Sequence, residues 1–436
     1  MMNRRRFLRN LAGAAAGAMV APYILPKEVS LFAQTGSRKV NHVVYCMLAG
    51  GIRNIESVRQ EAGGNLFPNL LSGAKSDYNG LIDLPSAPGS LPLQQQGTLF
   101  KEFRYAQGPT GHFNGHVVAM TGVYTDTGLN LRQNPDYPTI FEYYRKHNSP
   151  NDTPLNAWWI ADSLGPYPAL NYSKYPGYGS EYGANFIAPN FLFSPDAEPF
   201  LGDPKQFAPD PAERAALMRD FLNKNFQNTA IAEAAGVRNS PEEAEQVKQF
   251  LNATFDKVYS GQFGNPLGLS GVFSGDIYNV AFAEEVLKTF TPELTVVNLT
   301  ASDVCHRDFT QYLNNMMLAD YAVAHLWNTI QSIPEMANDT VMIIAPEHGR
   351  NLYDNGLVDA YGRKAIDHTS DPTSREIFCM VVGPAGLVNQ GQEIGTPQSP
   401  VGESIDIIPT IAWLLGFDQD LPGGVINGRV LQEAFA

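Results

Sequence analysis

The chain has 436 residues, of which 44% are hydrophobic, and its formal net charge is −14. This length and composition can bury one large core, or a core domain that carries a subdomain. The acidic balance argues against nucleic-acid binding, because a phosphate backbone requires a basic protein surface. After the N-terminus there is no apolar run of about 18 residues, so we expect no transmembrane helix in the rest of the chain.

The first 33 residues have the pattern of an export signal. The segment Arg4-Arg5-Arg6-Phe7-Leu8-Arg9 precedes an alanine- and glycine-rich apolar run from Leu11 to Ala21. A basic segment before a short apolar one is typical of a secretory signal peptide. We therefore predict that residues 1–33 are a signal peptide with cleavage near Ala33. The Arg-Arg-x-Phe-Leu-Arg pattern resembles twin-arginine signals, which implies export of the folded protein to the periplasm or the cell exterior.

Four buried strands are predicted from continuous apolar runs, at His42–Leu48, Leu294–Leu299, Thr340–Ala345 and Ile377–Val382. Helical segments lie between them, including an apolar stripe of helical period that begins at Phe309. A last helix is predicted from about Ser404 to Leu415, because Gly416 is a good C-terminal stop. Strands that alternate with helices predict an α/β fold, with a mostly parallel central sheet and helices on both faces.

Residues 34–436 are predicted to form one domain with an insertion at about 150–290. Its first part is rich in Tyr, Pro, Gly and Asn, which indicates loops. Two helix starts follow at Asp210-Pro211 and Ser240-Pro241, each with an N-cap residue before a proline. The insertion either shapes access to a substrate or is purely structural, and the sequence leaves both interpretations open.

Acidic and histidine residues follow two of the predicted strands, and a third such pair lies in the segment after the second of these strands. They are Asp303 with His306, Glu347 with His348, and Asp367 with His368. Ligands of open α/β sheets bind at the carboxyl ends of the strands. Oxygen and imidazole ligands gathered there suit a divalent cation such as Zn²⁺, Mn²⁺ or Ca²⁺. We therefore predict a metal site at this edge of the sheet.

The C-terminal half resembles the alkaline phosphatase–sulfatase superfamily. The resemblance rests on Glu347-His348-Gly349, the later His368, the segment from Arg375 to Gly383-Pro384, and the closing helix from Ser404 to Gly416. Upstream, the segment from His116 to Tyr124 is similar to the family's helix that follows the nucleophile. Asp-x-x-His, Glu-x-Gly-Arg and Asp-His resemble an uncharacterised, twin-arginine-exported bacterial branch of that superfamily.

The resemblance implies an alkaline phosphatase-like fold and two metal sites. Asp303, His306 and His368 match one site, and Glu347 and His348 match part of the second. In the superfamily, two closely spaced cations hold a phosphate or sulfate ester and activate a nucleophile. Arg350, directly after the metal pair, is a candidate for binding the anionic ester through its planar guanidinium.

The sequence departs from the family pattern at two positions. The first strand ends in Ala49-Gly50-Gly51, where the family has an aspartate ligand. Counting back from Thr121-Gly122 places His112 at the nucleophile position, and Thr110 two residues earlier is the other candidate. His112 is a possible metal ligand, covalent phospho-acceptor or general base, and His116 is interpreted as structural.

These features predict an exported, metal-dependent hydrolase of phosphate or sulfate esters that acts on a small anionic substrate. The alternative is a non-catalytic binding protein on a degenerate scaffold of the same type. The missing aspartate favours the alternative. The clustered charges favour the enzyme, because buried charge is costly unless it is used.

Overall fold

The computed structural model describes residues 37–61, 63–89, 91–126, 134–147, 153–161, 169–187, 189, 239–259, 266–270, 274–369 and 371–436. The predicted signal peptide and the helix predicted to start at Asp210-Pro211 lie outside these residues. No helix of the described segments is long and apolar enough to cross a membrane.

An eight-stranded sheet forms the centre of the described structure. Its strands are β1 His42–Leu48, β2 Gly97–Arg104, β3 Ala157–Ile160, β4 Asn185–Ile187, β5 Leu294–Leu299, β6 Thr340–Pro346, β7 Glu376–Val382 and β8 Gln392–Ile394. Their order is β4-β3-β5-β1-β6-β7-β2-β8. The four predicted strands are present within one residue of their predicted ends, and the mostly parallel α/β sheet is confirmed.

Helices cover both faces of this sheet. Those in the described segments are α1 His112–Thr121, α2 Ile140–His147, α3 Pro241–Tyr259, α4 Gly275–Phe290, α5 Phe309–Ser332 and α6 Ile407–Leu415. Alternate residues of β1 point to opposite faces, so that Val44 and Cys46 join a core beneath α3, α4 and α5. Val43 and Tyr45 join a second core beneath α1, α2 and α6. Each buried aliphatic side chain stabilises such a core by roughly 1.5–3 kcal/mol.

The helix starts and ends follow from local side chains. Ser240 and Glu243 cap α3 reciprocally, because each backbone N–H donates to the other's side chain, at 2.7 and 3.2 Å. Gly122 ends α1 and Gly416 ends α6, both in the left-handed conformation that glycine adopts without strain. The prediction of Ser240-Pro241 as a helix start is therefore confirmed.

Strand β7 runs opposite to the strands around it. It pairs antiparallel with both β6 and β2, whereas β1 pairs parallel with β5 and β6. The described residues between β6 and β7 contain only the short 3-10 turn Pro372–Arg375 and no α-helix. Because a parallel return usually uses a crossover helix and these residues contain none, the chain re-enters the sheet from the same edge. That edge carries the candidate site.

Candidate metal centre

The site lies at the carboxyl ends of three neighbouring parallel strands. Strand β1 lies between β5 and β6, and its last residue, Leu48, pairs with Leu299 and with Pro346. The segments that follow these residues therefore begin side by side. They carry Gly50-Gly51, Asp303 with His306, and Glu347 with His348.

One group of potential ligands surrounds the carboxylate of Asp303. Its Oδ1 lies 3.0 Å from Nε2 of His306 and 3.8 Å from Nε2 of His368. Nε2 of His112 is also 3.0 Å from this oxygen. The four ligand atoms all lie within 4.8 Å of one another. The three residues assigned to one site from the sequence are thus together, and His112 joins them.

A second group surrounds the carboxylate of Glu347. Its Oε1 lies 2.7 Å from Nδ1 of His112 and 3.2 Å from Nε2 of His348. The side chains of Glu347 and His348 are fully buried. The structure therefore places these two residues together, and the third member is again His112.

Of the four histidines in the two ligand groups, three are oriented by contacts outside these groups. Nδ1 of His306 lies 2.6 Å from Oδ1 of Asp367, and Nδ1 of His368 lies 2.6 Å from the carbonyl oxygen of Thr110. Nδ1 of His348 lies 2.8 Å from the carbonyl oxygen of Gly349. An N–H donated to such an acceptor leaves Nε2 as the unprotonated nitrogen. In each case Nε2 is the atom that faces the ligand group.

A buried chain of side chains reaches the other oxygen of Glu347. Nε1 of Trp159 donates to Oδ1 of Asn298 at 3.3 Å, and Nδ2 of Asn298 donates to Nε2 of His116 at 3.0 Å. His116 therefore carries its proton on Nδ1, which lies 2.5 Å from Oε2 of Glu347. His116 is fully buried, and its Nδ1 also lies 2.8 Å from the carbonyl oxygen of His112, so it contacts both ligand groups, which the interpretation as structural did not include.

The Gly50-Gly51 turn packs directly against the two groups. Both residues have positive φ, +103° and +79°. A Cβ on Gly51 would lie 2.5 Å from the imidazole of His348, and one on Gly50 would lie 2.7 Å from the backbone nitrogen of Asp303. The backbone N–H of Gly50 donates to Oε1 of Glu347 at 2.6 Å. No side chain fits at Gly50 or Gly51. These residues after β1 therefore provide no acidic ligand, and their backbone packs closely against the two ligand groups.

Arg350 is completely buried beneath the first ligand group. Its guanidinium donates to Asp303 Oδ1 at 3.2 Å, and its other donors are directed at backbone carbonyl oxygens. These oxygens belong to Gly50, Gly51, Ser302 and Ile366. The guanidinium thus ties the glycine turn to the segment that carries Asp303.

Thr110 precedes α1 and contacts the loop that carries His368. Its hydroxyl donates to the carbonyl oxygen of His368 and lies 3.1 Å from Oγ of Ser374. Two further arginines bond within the fold. Arg53 pairs with Glu56, and Arg375 donates to the carbonyl oxygens of residues 105 and 108.

The two carboxylates are held in their ionised form. Burial opposes the ionisation of Asp303, but hydrogen bonds from His112 and His306 outweigh it and lower the pKa of this carboxyl far below its usual value. Burial also opposes the ionisation of Glu347. Electrostatic interactions with the adjacent imidazoles of His116 and His112 outweigh it and hold the pKa of Glu347 well below normal.

The imidazoles divide into two kinds. Burial lowers the pKa of His368 to about 2, and burial also lowers the pKa of His348 despite the neighbouring Glu347. His112 differs, because its two carboxylate neighbours, Glu347 and Asp303, outweigh burial and raise its pKa to about 10. A cation binds neutral imidazoles and ionised carboxylates, so His368 and His348 are already in the metal-binding state, whereas His112 must lose a proton to bind one.

The donor set fits divalent cations. Asp303, His306, His368 and His112 provide four ligand atoms around one point, and Glu347, His348 and His112 provide three around another. A tetrahedral site with ligands at about 2.0–2.2 Å requires ligand atoms some 3.3 Å apart. The separations of 2.7–3.8 Å quoted above surround that value.

No protein-family model matches the sequence, and no curated protein matches it. Solved structures of the alkaline phosphatase superfamily are similar to the chain. One is wild-type alkaline phosphatase PafA, at 10% identity over 92% of this chain and 100% of that chain, with a TM-score of 0.49. A superfamily protein from Vibrio parahaemolyticus shares 12% identity over 100% of this chain and 80% of that chain, with a TM-score of 0.45.

A phosphonate monoester hydrolase from Silicibacter pomeroyi is also similar, at 12% identity over 91% of this chain and 76% of that chain, with a TM-score of 0.38. At these identities the similarity concerns the fold alone. The chemistry of this chain therefore has to be argued from its own residues.

Proposed function

We propose that this chain is a metal-dependent hydrolase of phosphate or sulfate esters. The observation that carries the proposal is the convergence of six side chains on two adjoining ligand groups at the carboxyl edge of the sheet. They are His112, Asp303, His306, Glu347, His348 and His368. Adjoining divalent ions would polarise an ester oxygen and stabilise the charge that develops when the ester bond breaks.

The ligands favour Zn²⁺ or Mn²⁺ over Ca²⁺. Four of the six side chains offer imidazole nitrogen and two offer carboxylate oxygen. Calcium takes six to eight oxygen ligands, whereas imidazole suits zinc and other transition metals. We therefore expect Zn²⁺ or Mn²⁺ to support activity best.

The remaining candidates act on the ligands in this proposal. Arg350 holds Asp303 and the glycine turn in place, and its donors are directed at protein oxygens rather than at a substrate. Thr110 orients His368 through its carbonyl oxygen and its hydroxyl. Both are positioning residues here, and the anionic ester is held by the cations.

A non-catalytic binding protein is the second candidate, because Gly50-Gly51 provides no acidic ligand. The test is to purify the full chain, measure its metal content, and assay phosphate monoesters, phosphate diesters and sulfate esters with added Zn²⁺, Mn²⁺ or Ca²⁺. We expect at least one divalent ion per chain and turnover of one ester class.

Two variants make this test specific. His348→Ala should lower metal content and abolish turnover, whereas His147→Ala, which removes an imidazole outside both groups, should change neither. Bound metal without turnover of any ester would support the binding protein. A protein that binds no metal in any of these conditions would refute the metal-dependent hydrolase.

We also propose that the protein is exported by the twin-arginine pathway, which rests on Arg4-Arg5 and the apolar run that follows. Replacement of both arginines by lysine should retain the chain in the cytoplasmic fraction. Unchanged distribution between cell fractions would contradict this proposal.

A further inference from the structure

We infer that the imidazole of His112 binds two divalent ions at once, one through each ring nitrogen. The inference rests on the proposed function to the extent that it requires metal binding. It assigns to His112 a bridging role, in place of the nucleophile or general base considered from the sequence.

The two ring nitrogens of His112 face different ligand groups. Nε2 lies 3.0 Å from Asp303, in the group that also contains His306 and His368. Nδ1 lies 2.7 Å from Glu347 and 3.4 Å from Nε2 of His348. The same ring therefore completes both sets of ligand atoms.

His112 differs in this respect from the other histidines of the centre. His306, His348 and His368 each direct Nδ1 at a carboxylate or carbonyl oxygen outside the ligand groups. His112 directs Nδ1 and Nε2 at the carboxylates of the two groups themselves. An imidazole that serves one ion normally gives its second nitrogen to such an outer acceptor. In His112 both nitrogens are in ligand positions.

The fold holds the ring in this orientation. His112 is the first residue of α1, and its carbonyl oxygen lies 2.8 Å from Nδ1 of the buried His116. Its ring packs against His348 and His368, with centroids 5.2 and 4.7 Å away. Gly115 lets this first helical turn approach β6, because a Cβ there would lie 3.0 Å from Cβ of Glu347.

The second ligand group depends on this bridge. Glu347 and His348 alone offer two side-chain ligands, and the adjoining Gly50-Gly51 turn offers none. With Nδ1 of His112 the group has three, the number that catalytic zinc sites commonly have. His112 thus supplies the ligand that the first strand lacks.

Bridging has a chemical consequence for His112. Coordination at both nitrogens requires that both N–H protons leave to solvent, which two adjacent cations favour. A ring in this state has no lone pair left to accept a phosphoryl or sulfuryl group, or a proton. Hydrolysis would then proceed without a covalent intermediate on His112.

Copper substitution tests the bridge directly. The metal-free full chain is loaded with Cu²⁺ alone, its copper content is measured, and EPR spectra are recorded at low temperature. Two Cu²⁺ ions that share one imidazolate are magnetically coupled, so the wild-type protein with two ions per chain should lose most of its EPR signal. Two ions per chain with the full signal of isolated Cu²⁺ would overturn the inference, as would a single ion per chain.

His112→Gly provides the second measurement. This variant should restore the signal of uncoupled Cu²⁺ or reduce copper content to one ion per chain, and added imidazole should restore the coupled state. Coupling that persists in this variant without imidazole would overturn the inference. If the variant does not fold, the wild-type spectrum still decides.

Ester hydrolysis by the Zn²⁺-loaded protein is measured in parallel to separate this inference from the proposed function. Coupled copper without turnover of any ester supports the bridge and refutes the hydrolase. Turnover with uncoupled ions supports the hydrolase and refutes the bridge.

Discussion

His306 and Asp367 form a carboxylate–histidine pair at the rim of the metal centre, with Nδ1 of the imidazole 2.6 Å from Oδ1 of the carboxylate. Asp367 also accepts a bond from Nδ2 of Asn355 at 2.9 Å. Its hydrogen bond to His306 lowers the pKa of Asp367, although burial acts in the opposite direction. The pair fixes the ring so that Nε2 faces Asp303.

We expect Asp367→Ala to weaken metal binding by about 10–100-fold, the usual effect of removing a carboxylate that orients a histidine ligand. Asp367→Asn keeps an oxygen acceptor for His306 and should lose less. Titration with Zn²⁺ in the presence of a competing chelator measures both affinities. Asp354→Ala is the matched control, because it removes an acid of the same loop that pairs with Lys364. Equal losses in the Asp354 and Asp367 variants would contradict the orienting role.

The glycine turn makes a second prediction. In Gly51→Ala the new methyl group would lie 2.5 Å from the His348 ring, so we expect displaced His348 and reduced metal content. Gly424→Ala is the control, because Gly424 has the same φ of +79° and open space around it. Both variants should lose about 1–2 kcal/mol of unfolding free energy from the left-handed backbone. Only Gly51→Ala should lose metal, and unaltered metal content in that variant would show that the turn tolerates a side chain.

Much of this centre could be predicted because its signals are local in sequence. Each of Asp303, Glu347 and His348 follows a buried apolar run by a few residues, and such runs indicate strands whose ends meet. The helix that follows Gly111 and the place of His112 near the site were predicted from the resemblance of the segment before Thr121-Gly122 to the helix that follows the nucleophile in the alkaline phosphatase–sulfatase superfamily.

Other parts depend on contacts that a single sequence does not encode. The contact between Asn298 and His116 joins residues separated by 182 positions, so neither residue carried a signal of its partner. The antiparallel orientation of β7 could not be predicted either, because the same apolar run is expected for a parallel and for an antiparallel buried strand. Nothing in the sequence around His112 indicated that both of its ring nitrogens are directed at carboxylates.

Glu142 predicts a pH dependence of stability away from the metal centre. It accepts four hydrogen bonds, from the backbone N–H groups of Thr139, Ser173 and Gly179 and from the Ser173 hydroxyl. Burial nevertheless raises the pKa of Glu142 to about 7, from an ordinary value of 4.5. The folded state then binds a proton that the unfolded state has lost. The contribution of Glu142 to the free energy of unfolding is greatest below pH 4.5 and is lost as the pH rises towards 7.

Glu142→Gln removes this titration while it keeps the size of the side chain. We expect the stability advantage of the wild-type protein over Glu142→Gln to be larger at pH 5 than at pH 8, measured by denaturant unfolding of the metal-free proteins. An advantage that is constant, or that grows with pH, would show that the four donors keep the carboxylate ionised throughout.

Thr110 distinguishes a positioning residue from a nucleophile. Thr110→Val keeps the shape of the side chain and removes the hydroxyl that bonds to His368 and Ser374. The loss of such a bond costs about 1 kcal/mol, so we expect metal affinity to fall by roughly five- to tenfold. Turnover at saturating metal should persist, and Thr110→Ser should resemble the wild-type protein.

Thr121→Val is the matched control. It removes a buried hydroxyl bonded to the carbonyl oxygen of Val117 and should leave metal affinity unchanged. If Thr110 is instead the nucleophile, Thr110→Val will be inactive at every metal concentration while its metal content stays at the wild-type level.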